Sequence, residues 1–189
     1  MIYSRFGKRA LDILVSASAI LVLTPLLVAV ALAIKFTDPG PAIFRQRRAG
    51  RDGEPFMFYK FRSMPVDTRN LPSDKLGDVQ LTPVGSFIRR TNLDELPQLF
   101  NILRGEMSLI GPRPSLCTQE ELIAARGANG ALRLRPGLTG WAQVNSFDFM
   151  TIDQKAALDG DYAARISARL DFKILLRTFA YLRKPPPVY

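Results

Sequence analysis

Histidine is absent from the 189-residue chain, and cysteine occurs once, as Cys117. Without histidine these residues cannot form a Ser-His-Asp or Cys-His catalytic group, and zinc loses its usual nitrogen ligand. A single cysteine excludes a disulfide within the chain, which fits a reducing compartment. Acid–base and nucleophilic chemistry therefore falls to Asp, Glu, Lys, Tyr, Ser or Thr, and a metal would be a hard cation bound by oxygen.

Acidic residues are in the minority: 17 Asp and Glu stand against 26 Lys and Arg, which gives a net charge of +9. The excess predicts anionic partners, either nucleic acid, a phosphorylated metabolite or an acidic bilayer surface. No nucleic-acid motif accompanies the charge, so we expect no nucleic-acid partner. Apolar residues make up 47% of the chain, enough for the core of one domain, or of one domain plus an anchor.

Charged residues are also missing from the segment ILVSASAILVLTPLLVAVALAI, Ile13 to Ile34. As a helix it would be about 33 Å long, which is enough to cross the hydrocarbon of a bilayer. A cleaved signal peptide fits poorly, because the apolar run is too long and no small-residue cleavage site follows it. The alternatives are a spanning helix and a re-entrant segment that returns to the side it entered.

Two features of this segment favour the re-entrant form. Pro25 cannot donate to the Leu21 carbonyl, so the helix should kink there, and Thr24 can satisfy the freed backbone groups. Cations mark the cytoplasmic side of a membrane segment, and both flanks carry them: Arg5, Lys8 and Arg9 before it, Lys35, Arg45, Arg47, Arg48 and Arg51 after it. We therefore expect a re-entrant helix–break–helix over residues 1–36, broken at Thr24-Pro25, and a cytoplasmic-face domain over residues 37–189.

The globular part is expected to be α+β and mostly helical, with amphipathic interfacial helices. Asp52-Gly53, between the apolar segments AIFRQ and PFMFYKFRSM, predicts a small β-hairpin. Short helices are predicted near residues 84–90 and 95–104, and residues 65–83 are polar and irregular. The segments SLIGPRPS and RLRPGLTGWAQVN, punctuated by Gly and Pro, are predicted to be loops that carry a site.

The C-terminal segment ARISARLDFKILLRTFAYLRK is amphipathic. Cations at every fourth position predict one basic stripe along a helix, and apolar residues supply a broad second face. The stripe comprises Arg165, Arg169, Lys173 and Arg177, and the apolar face comprises Ile166, Leu170, Ile174, Leu175, Phe179 and Leu182. A helix packed on the core with a solvated edge and a helix lying in the bilayer interface explain the pattern equally well.

The adjacent carboxylates Asp94 and Glu95 are unusual in so basic a chain. With Asp94 as a helix N-cap, Pro97 falls in the first turn, where its missing N–H costs nothing, and both carboxylates lie at the positive end of the helix. Such a pair is commonly no more than a cap. The surrounding arginines favour a phosphate and metal site instead: Arg89, Arg90, Arg104, Arg113 and Arg135. One carboxylate can then hold Mg²⁺ while the other positions a group or attacks phosphorus.

Several motifs resemble the monotopic phosphoglycosyl transferases of the bacterial sugar transferase family, and together they cover nearly the whole chain. They are the hydroxyl-proline pair Thr24-Pro25, FRQRRAGRDGEPFMFYKFRSM, LTPVGSFIRRTNLDELPQLFNILRGEMSLIGPRP, RPGLTGWAQVN, and Asp159 and Tyr162 followed by LDFKILLRT. The central block is too long and too specific for chance similarity. Without the large additional membrane region of longer relatives, the chain resembles the minimal catalytic form.

The resemblance implies transfer of a phosphosugar from a UDP-sugar to polyprenyl (undecaprenyl) phosphate, the first membrane step of glycan assembly, at the cytoplasmic face of the bacterial inner membrane. Asp94 is then the nucleophile that attacks the sugar-linked phosphorus with release of UMP. Glu95, with Asp94, binds the implied cofactor Mg²⁺, and the family is also thought to use a re-entrant helix. The implied phosphate- and substrate-binding residues are Arg89, Arg113, Arg135, Lys60 and Arg62.

The sequence departs from the family pattern in two places. Many members have Ser in place of Thr24, which keeps the hydroxyl. After AQVN many members continue with Gly and a basic residue, whereas Ser146, Phe147 and Asp148 follow here, a difference expected to bear on sugar or nucleotide recognition. The alternative function is a membrane-tethered binding protein for anionic partners, which the charge supports equally well. A catalytically inactive scaffold is disfavoured by the intact Asp94-Glu95 pair.

Overall fold

The computed structural model describes residues 3–66, 68, 81–145 and 150–182, and these are mostly helical. A π-helical turn, Tyr3–Gly7, leads into α1. The elements are α1 (Lys8–Thr37), β1 (Ile43–Ala49), β2 (Pro55–Phe61), α2 (Pro83–Arg90), α3 (Gln98–Arg104), β3 (Ser108–Ile110), α4 (Glu120–Ala128), β4 (Gly137–Thr139), α5 (Trp141–Asn145), α6 (Ile152–Arg165) and α7 (Ala168–Leu182). The predicted α+β class is confirmed. Most of the predicted irregular segment and Ser146, Phe147 and Asp148 lie outside the described residues.

The helix α1 is continuous over 30 residues, with Pro25 inside it. The predicted helix–break–helix is therefore wrong in its break at Thr24-Pro25. The Thr24 hydroxyl donates to the Ile20 carbonyl at 2.7 Å, which supplies a bond within the turn that the proline weakens. Within the described residues, α1 is the one helix long and apolar enough to cross a membrane.

Both ends of α1 pack against the globular part. Near its start, the buried Asp12 accepts hydrogen bonds from the Ser108 hydroxyl at 3.1 Å and the Leu109 N–H at 2.9 Å. Near its end, the helix contributes two residues to a buried apolar cluster: Val30, Ile34, Ala42, Phe61 and Ile88. Between these attachments, residues 21–26 are exposed apart from the half-buried Leu23.

The first and last helices meet at one buried carboxylate. Asp171 of α7 accepts from the Lys8 ammonium at 2.7 Å, the Tyr3 hydroxyl at 2.6 Å and the Tyr162 hydroxyl at 2.7 Å. A buried carboxylate is tolerated only when it is paired and hydrogen-bonded in this way. The cluster therefore fixes the start of α1 against α7.

The predicted β-hairpin is confirmed, since β1 and β2 pair antiparallel along their whole length. In the connection, Asp52 and Gly53 have φ of 56° and 83°. Glycine adopts this left-handed conformation freely and aspartate tolerates it, which explains why this dipeptide marks the turn.

The outer edge of β2 is joined to α3 by one buried amide. Asn101 accepts from the Tyr59 N–H at 3.2 Å and donates to the Met57 carbonyl at 2.7 Å, so it bonds to the main chain of β2 as a neighbouring strand would. Beneath this contact lies a buried core cluster: Phe56, Phe58, Leu99, Ile102 and Met107. The pairing sets β2 at a fixed distance from the residues that precede α3.

The two segments predicted to be loops, SLIGPRPS and RLRPGLTGWAQVN, each contain a short strand. β3 and β4 pair in parallel over three residues each, a length too short for an alternating pattern to reveal. At Gly137, the first residue of β4, the backbones nearly touch: a Cβ there would lie 2.1 Å from the Gly111 nitrogen. Only glycine fits there, and this close approach packs the two segments together.

The predicted basic stripe does not lie on one helix. α6 ends at Arg165, which pairs with Asp161, and α7 starts after a short break. Lys173 and Arg177 lie over the Trp141 ring, 5.4 and 5.1 Å from its centre, so two of the four cations are directed at the protein.

The helix α7 has two apolar faces. The inner face packs in a cluster with Ile110 and Tyr162 and buries Ile174 completely, as the core-packed interpretation predicted. The outer face is exposed at positions spaced along one side of the helix: Phe172, Leu175, Leu176 and Phe179. The core-packed interpretation therefore describes the inner face, and contact of the outer face with a bilayer stays a prediction.

Candidate active site

The paired carboxylates lie in a tight turn before α3. Asn92 has a left-handed φ of 56°, which reverses the chain after α2, and residues Leu93–Glu95 then form a 3₁₀ turn. The N-cap of α3 is Pro97, so the prediction that Asp94 caps this helix is wrong. Because the chain reverses at Asn92, residues Leu93–Glu95 form a separate turn and do not extend α3 at its start. The reversal leaves Asp94 buried beside Glu95 rather than exposed at a helix end.

Two cations from other elements meet these carboxylates. Lys60 Nζ, from β2, lies 2.8 Å from Glu95 Oε1 and 3.4 Å from Asp94 Oδ2. Arg113 Nη2, from the loop after β3, lies 2.7 Å from the same Glu95 oxygen. The hairpin, the turn and the loop therefore bring Lys60 and Arg113 together at the Asp94-Glu95 pair.

The two carboxylates have opposite electrostatic environments. Burial raises the pKa of Asp94, and the nearby charges of Lys60 and Arg89 offset that rise only in part. Burial acts on Glu95 in the same direction, but Arg113 and Lys60 outweigh it and hold the pKa of that carboxyl well below its usual range. Glu95 is therefore a fixed anion, whereas Asp94 is the more basic group of the pair.

Of the other predicted binding residues, one lies near the carboxylate pair and two contact other groups. Arg89, on α2, is near enough for its charge to act on Asp94. Arg135 Nε donates to the Gly105 carbonyl at 2.7 Å, at the C-terminal end of α3. Arg62 is buried and pairs with Asp38, 3.5 Å from its carboxylate. Among the described contacts, Arg62 and Arg135 thus meet other groups than the carboxylate pair.

One residue beside the site was missed from the sequence. Arg48 of β1 lies 5.3 Å from the Phe58 ring centre, and Lys60 lies 5.9 Å from the same ring. Burial and the neighbouring Arg113 lower the pKa of Arg48 to about 10, while Glu95 opposes that shift. In the sequence Arg48 reads as one of several cations that flank the apolar segment. Arg48 and Lys60 are twelve residues apart in the chain, and only the pairing of β1 with β2 brings both cations to the Phe58 ring.

The donor set suits Mg²⁺. Two adjacent carboxylates supply hard oxygen ligands, and among the described residues no group of three or more His, Cys, Asp or Glu side chains gathers at one point. A cation here would take its remaining ligands from water and from phosphate, which is how Mg²⁺ is usually bound in phosphoryl-transfer sites. Asp94 and Glu95 are the residues that would hold it.

The chain belongs to the bacterial sugar transferase family, whose model matches residues 3–184. It is 40% identical over 188 residues to the UDP-glucose:undecaprenyl-phosphate glucose-1-phosphate transferase of Escherichia coli, an alignment covering 93% of this chain and 40% of that protein. The protein of the same name from Caulobacter vibrioides is 43% identical over 180 residues, with 90% and 67% covered.

A third relative carries a different sugar in its name. The UDP-N-acetylgalactosamine-undecaprenyl-phosphate N-acetylgalactosaminephosphotransferase of Aeromonas hydrophila is 39% identical over 180 residues, covering 92% of this chain and 43% of that protein. The chain thus spans between 40% and 67% of the length of these three relatives. The family inferred from the motifs is confirmed.

Proposed function

We propose that this chain transfers a sugar 1-phosphate from a UDP-sugar to polyprenyl phosphate through a covalent phosphosugar on Asp94. The observation that carries the proposal is the buried Asp94 beside the half-buried Glu95, with Lys60 and Arg113 in contact with the pair and Arg89 near enough for its charge to act on Asp94. Membership of the sugar transferase family and the names of the relatives support the substrate class. The product is the first lipid-linked unit of a glycan.

In the first displacement, an oxygen of Asp94 forms a bond to the phosphorus that carries the sugar. The bond from that phosphorus to the bridging oxygen breaks, and UMP leaves with the electron pair. The raised pKa of Asp94 suits this role, because a more basic carboxylate is a better nucleophile. Lys60, 3.4 Å from Oδ2, orients the carboxylate.

In the second displacement, an oxygen of polyprenyl phosphate attacks the same phosphorus and Asp94 leaves as the free carboxylate. Both steps bring an anion to an anionic phosphorus centre. Positive charge must therefore lie around the equatorial oxygens of the phosphoryl group that is transferred. Arg113 and Arg89 provide it, and arginine suits the task because its planar fork can bond two phosphate oxygens. Mg²⁺, when bound by Glu95 and Asp94, would offset further charge on the diphosphate.

Glu95 keeps this arrangement charged at every physiological pH. Its pKa is held low by Arg113 and Lys60, so it neither competes with Asp94 for a proton nor loses its capacity to bind a cation. Asp94 is therefore the group that reacts with phosphorus, and Glu95 is the permanent anion that helps to bind the cation.

A monotopic placement on the cytoplasmic face accompanies this function, and two attachments support it. Asp12 near the start of α1 bonds to β3, and Ile34 near its end is buried with residues of β2 and α2. A helix crossing the bilayer would carry one of these attachments to the opposite side from the domain to which it binds. The cations on both flanks further support a placement with both ends of α1 on the cytoplasmic side.

The deciding experiment incubates the purified protein with Mg²⁺ and UDP-glucose in the absence of lipid. We expect one equivalent of UMP and a mass gain of one hexose phosphate on the peptide that contains Asp94. Asp94→Asn should abolish the adduct and nearly all turnover, and Glu95→Gln should raise the Mg²⁺ concentration needed for half-maximal rate. Asp52→Asn, the same chemical change at an exposed turn, serves as the control.

Turnover should follow ping-pong kinetics, because UMP leaves before the lipid reacts. UMP release that requires the lipid acceptor, with sequential kinetics, would instead indicate direct transfer. A protein that binds UDP-sugars without consuming them under any condition would be a tethered binding protein.

A further inference from the structure

The loop that carries Arg113 is held by four consecutive carbonyl groups. Prolines on either side of Arg113 have no N–H, so this stretch can make few main-chain hydrogen bonds as a donor. Its carbonyls accept as follows: Pro112 from the Gly137 N–H at 2.8 Å, Arg113 from Arg126 Nη1 at 2.9 Å, Pro114 from Arg48 Nη1 at 3.2 Å, and Ser115 from the Ala49 N–H at 2.9 Å. Main-chain groups hold the two outer carbonyls, and arginine side chains hold the two inner ones.

The arginine that holds the Arg113 carbonyl is itself fixed. Arg126 lies on α4 with 6% of its surface exposed, and Asp159 lies on α6 with 1% exposed. Arg126 Nε and Nη2 are 2.9 and 2.7 Å from Asp159 Oδ2, which leaves Nη1 directed at the loop. A planar guanidinium with one edge bound to a carboxylate has its remaining N–H groups fixed in direction.

We infer that Arg126, oriented by Asp159, is a positioning residue that places Arg113 against Glu95. The inference rests on the proposed function and extends it to two helices outside the site. The path consists of three contacts: Asp159 to Arg126, Arg126 to the Arg113 carbonyl, and Arg113 Nη2 to Glu95 at 2.7 Å. Because a shift of about 1 Å in a positioning group can cost two orders of magnitude in rate, the loop needs such support.

A purely structural ion pair between α4 and α6 would have different consequences. Its loss would lower stability and leave the chemistry of the remaining folded protein unchanged. Loss of positioning would move Arg113 away from Glu95 in a protein that still folds, and the loss of rate would then be the loss of what Arg113 contributes. The coupling between Arg126 and Arg113 in kcat/KM therefore distinguishes the two roles.

The test is a double-mutant cycle between Arg126→Lys and Arg113→Ala. Lysine keeps a charge for Asp159 but has no fork to reach the Arg113 carbonyl as well. We expect Arg126→Lys to lower kcat/KM for UDP-glucose about tenfold, Arg113→Ala to lower it further, and the double variant to match Arg113→Ala alone within about twofold. Arg51→Lys, in an exposed ion pair, is the matched control.

A second variant separates folding from positioning. Arg126→Met combined with Asp159→Leu removes both charges, so no unpaired charge remains buried and the fold should survive. We expect its thermal midpoint to stay near that of the wild type while kcat/KM falls as in Arg126→Lys.

Effects that multiply in the cycle, or full activity in the apolar double variant, would overturn the inference. Wild-type protein that releases no UMP would overturn the proposed function instead, so the two failures are distinguishable.

Discussion

The carboxylate of Asp12, in the second turn of α1, accepts a 2.9 Å hydrogen bond from the main-chain N–H of Leu109 on β3. A residue that borders the apolar segment is therefore part of the globular core. β3 leads directly into the loop that carries Arg113, so the anchor and the candidate site share a backbone attachment.

Replacing Asp12 by Leu should destabilise the protein although it makes α1 more apolar. The Leu109 N–H and the Ser108 hydroxyl would lose a charged acceptor, a loss of about 2 kcal/mol. Denaturant unfolding in detergent measures it, with Asp12→Asn expected to retain part of the stability because its amide oxygen can still accept. Ala10→Leu, at an exposed position of the same helix, controls for added apolar surface. Equal stability of Asp12→Leu and wild type would show that this attachment contributes nothing.

The acid limb of the pH–rate profile should lie above the usual range of an aspartate. Asp94 must be ionised to attack, and burial raises its pKa, so kcat/KM should fall as the pH drops through that raised value. Lys60 opposes the shift. In Lys60→Gln the pKa of Asp94 rises further, and the limb should move to higher pH. Lys155→Gln, an exposed lysine on α6, should leave the limb in place. A limb that does not respond to Lys60→Gln would assign it to another group.

Both ends of α1 should be inaccessible from outside the cell. Single cysteines at position 10 and position 35, both exposed, are introduced after Cys117→Ser removes the native thiol. An impermeant maleimide should label neither in intact spheroplasts and both after the membrane is opened, because each end is attached to the same domain. Labelling of Ala10→Cys in intact spheroplasts would indicate a spanning helix.

The outer face of α7 should bind bilayers by apolar contact more than by charge. Burying each phenylalanine side chain contributes about 2 kcal/mol, whereas a cation near an anionic surface contributes about 1 kcal/mol. Phe172→Ser with Phe179→Ser should therefore reduce vesicle binding on zwitterionic and anionic lipid alike, and Arg169→Gln on anionic lipid only. Co-sedimentation measures both. Unchanged binding of the phenylalanine variant would mean that this face does not meet lipid.

The sequence predicts the parts of this site that depend on residues close together in the chain, and it misses contacts between residues that are far apart in the chain. The motif PFMFYKFRSM predicts Lys60 and Arg62 together, but β2 ends at Phe61, and beyond a strand the alternation of faces no longer holds. Lys60 therefore meets the carboxylates while Arg62 pairs with Asp38. The turn at Asp52-Gly53 is local and was predicted. The reversal at Asn92 and the pairing of Arg126 with Asp159, 33 residues away, depend on tertiary packing that no local pattern contains.

The meeting of Lys8 with Asp171 joins residues 163 positions apart in the chain. During synthesis Lys8, at the start of α1, leaves the ribosome well before Asp171 is made, because 163 positions separate the two residues. The helix must therefore associate with lipid, or with a chaperone, before its permanent polar partner exists. Truncation before Asp171 would leave the Lys8 ammonium and the hydroxyls of Tyr3 and Tyr162 without that partner, so the position of α1 depends on a carboxylate that is made much later.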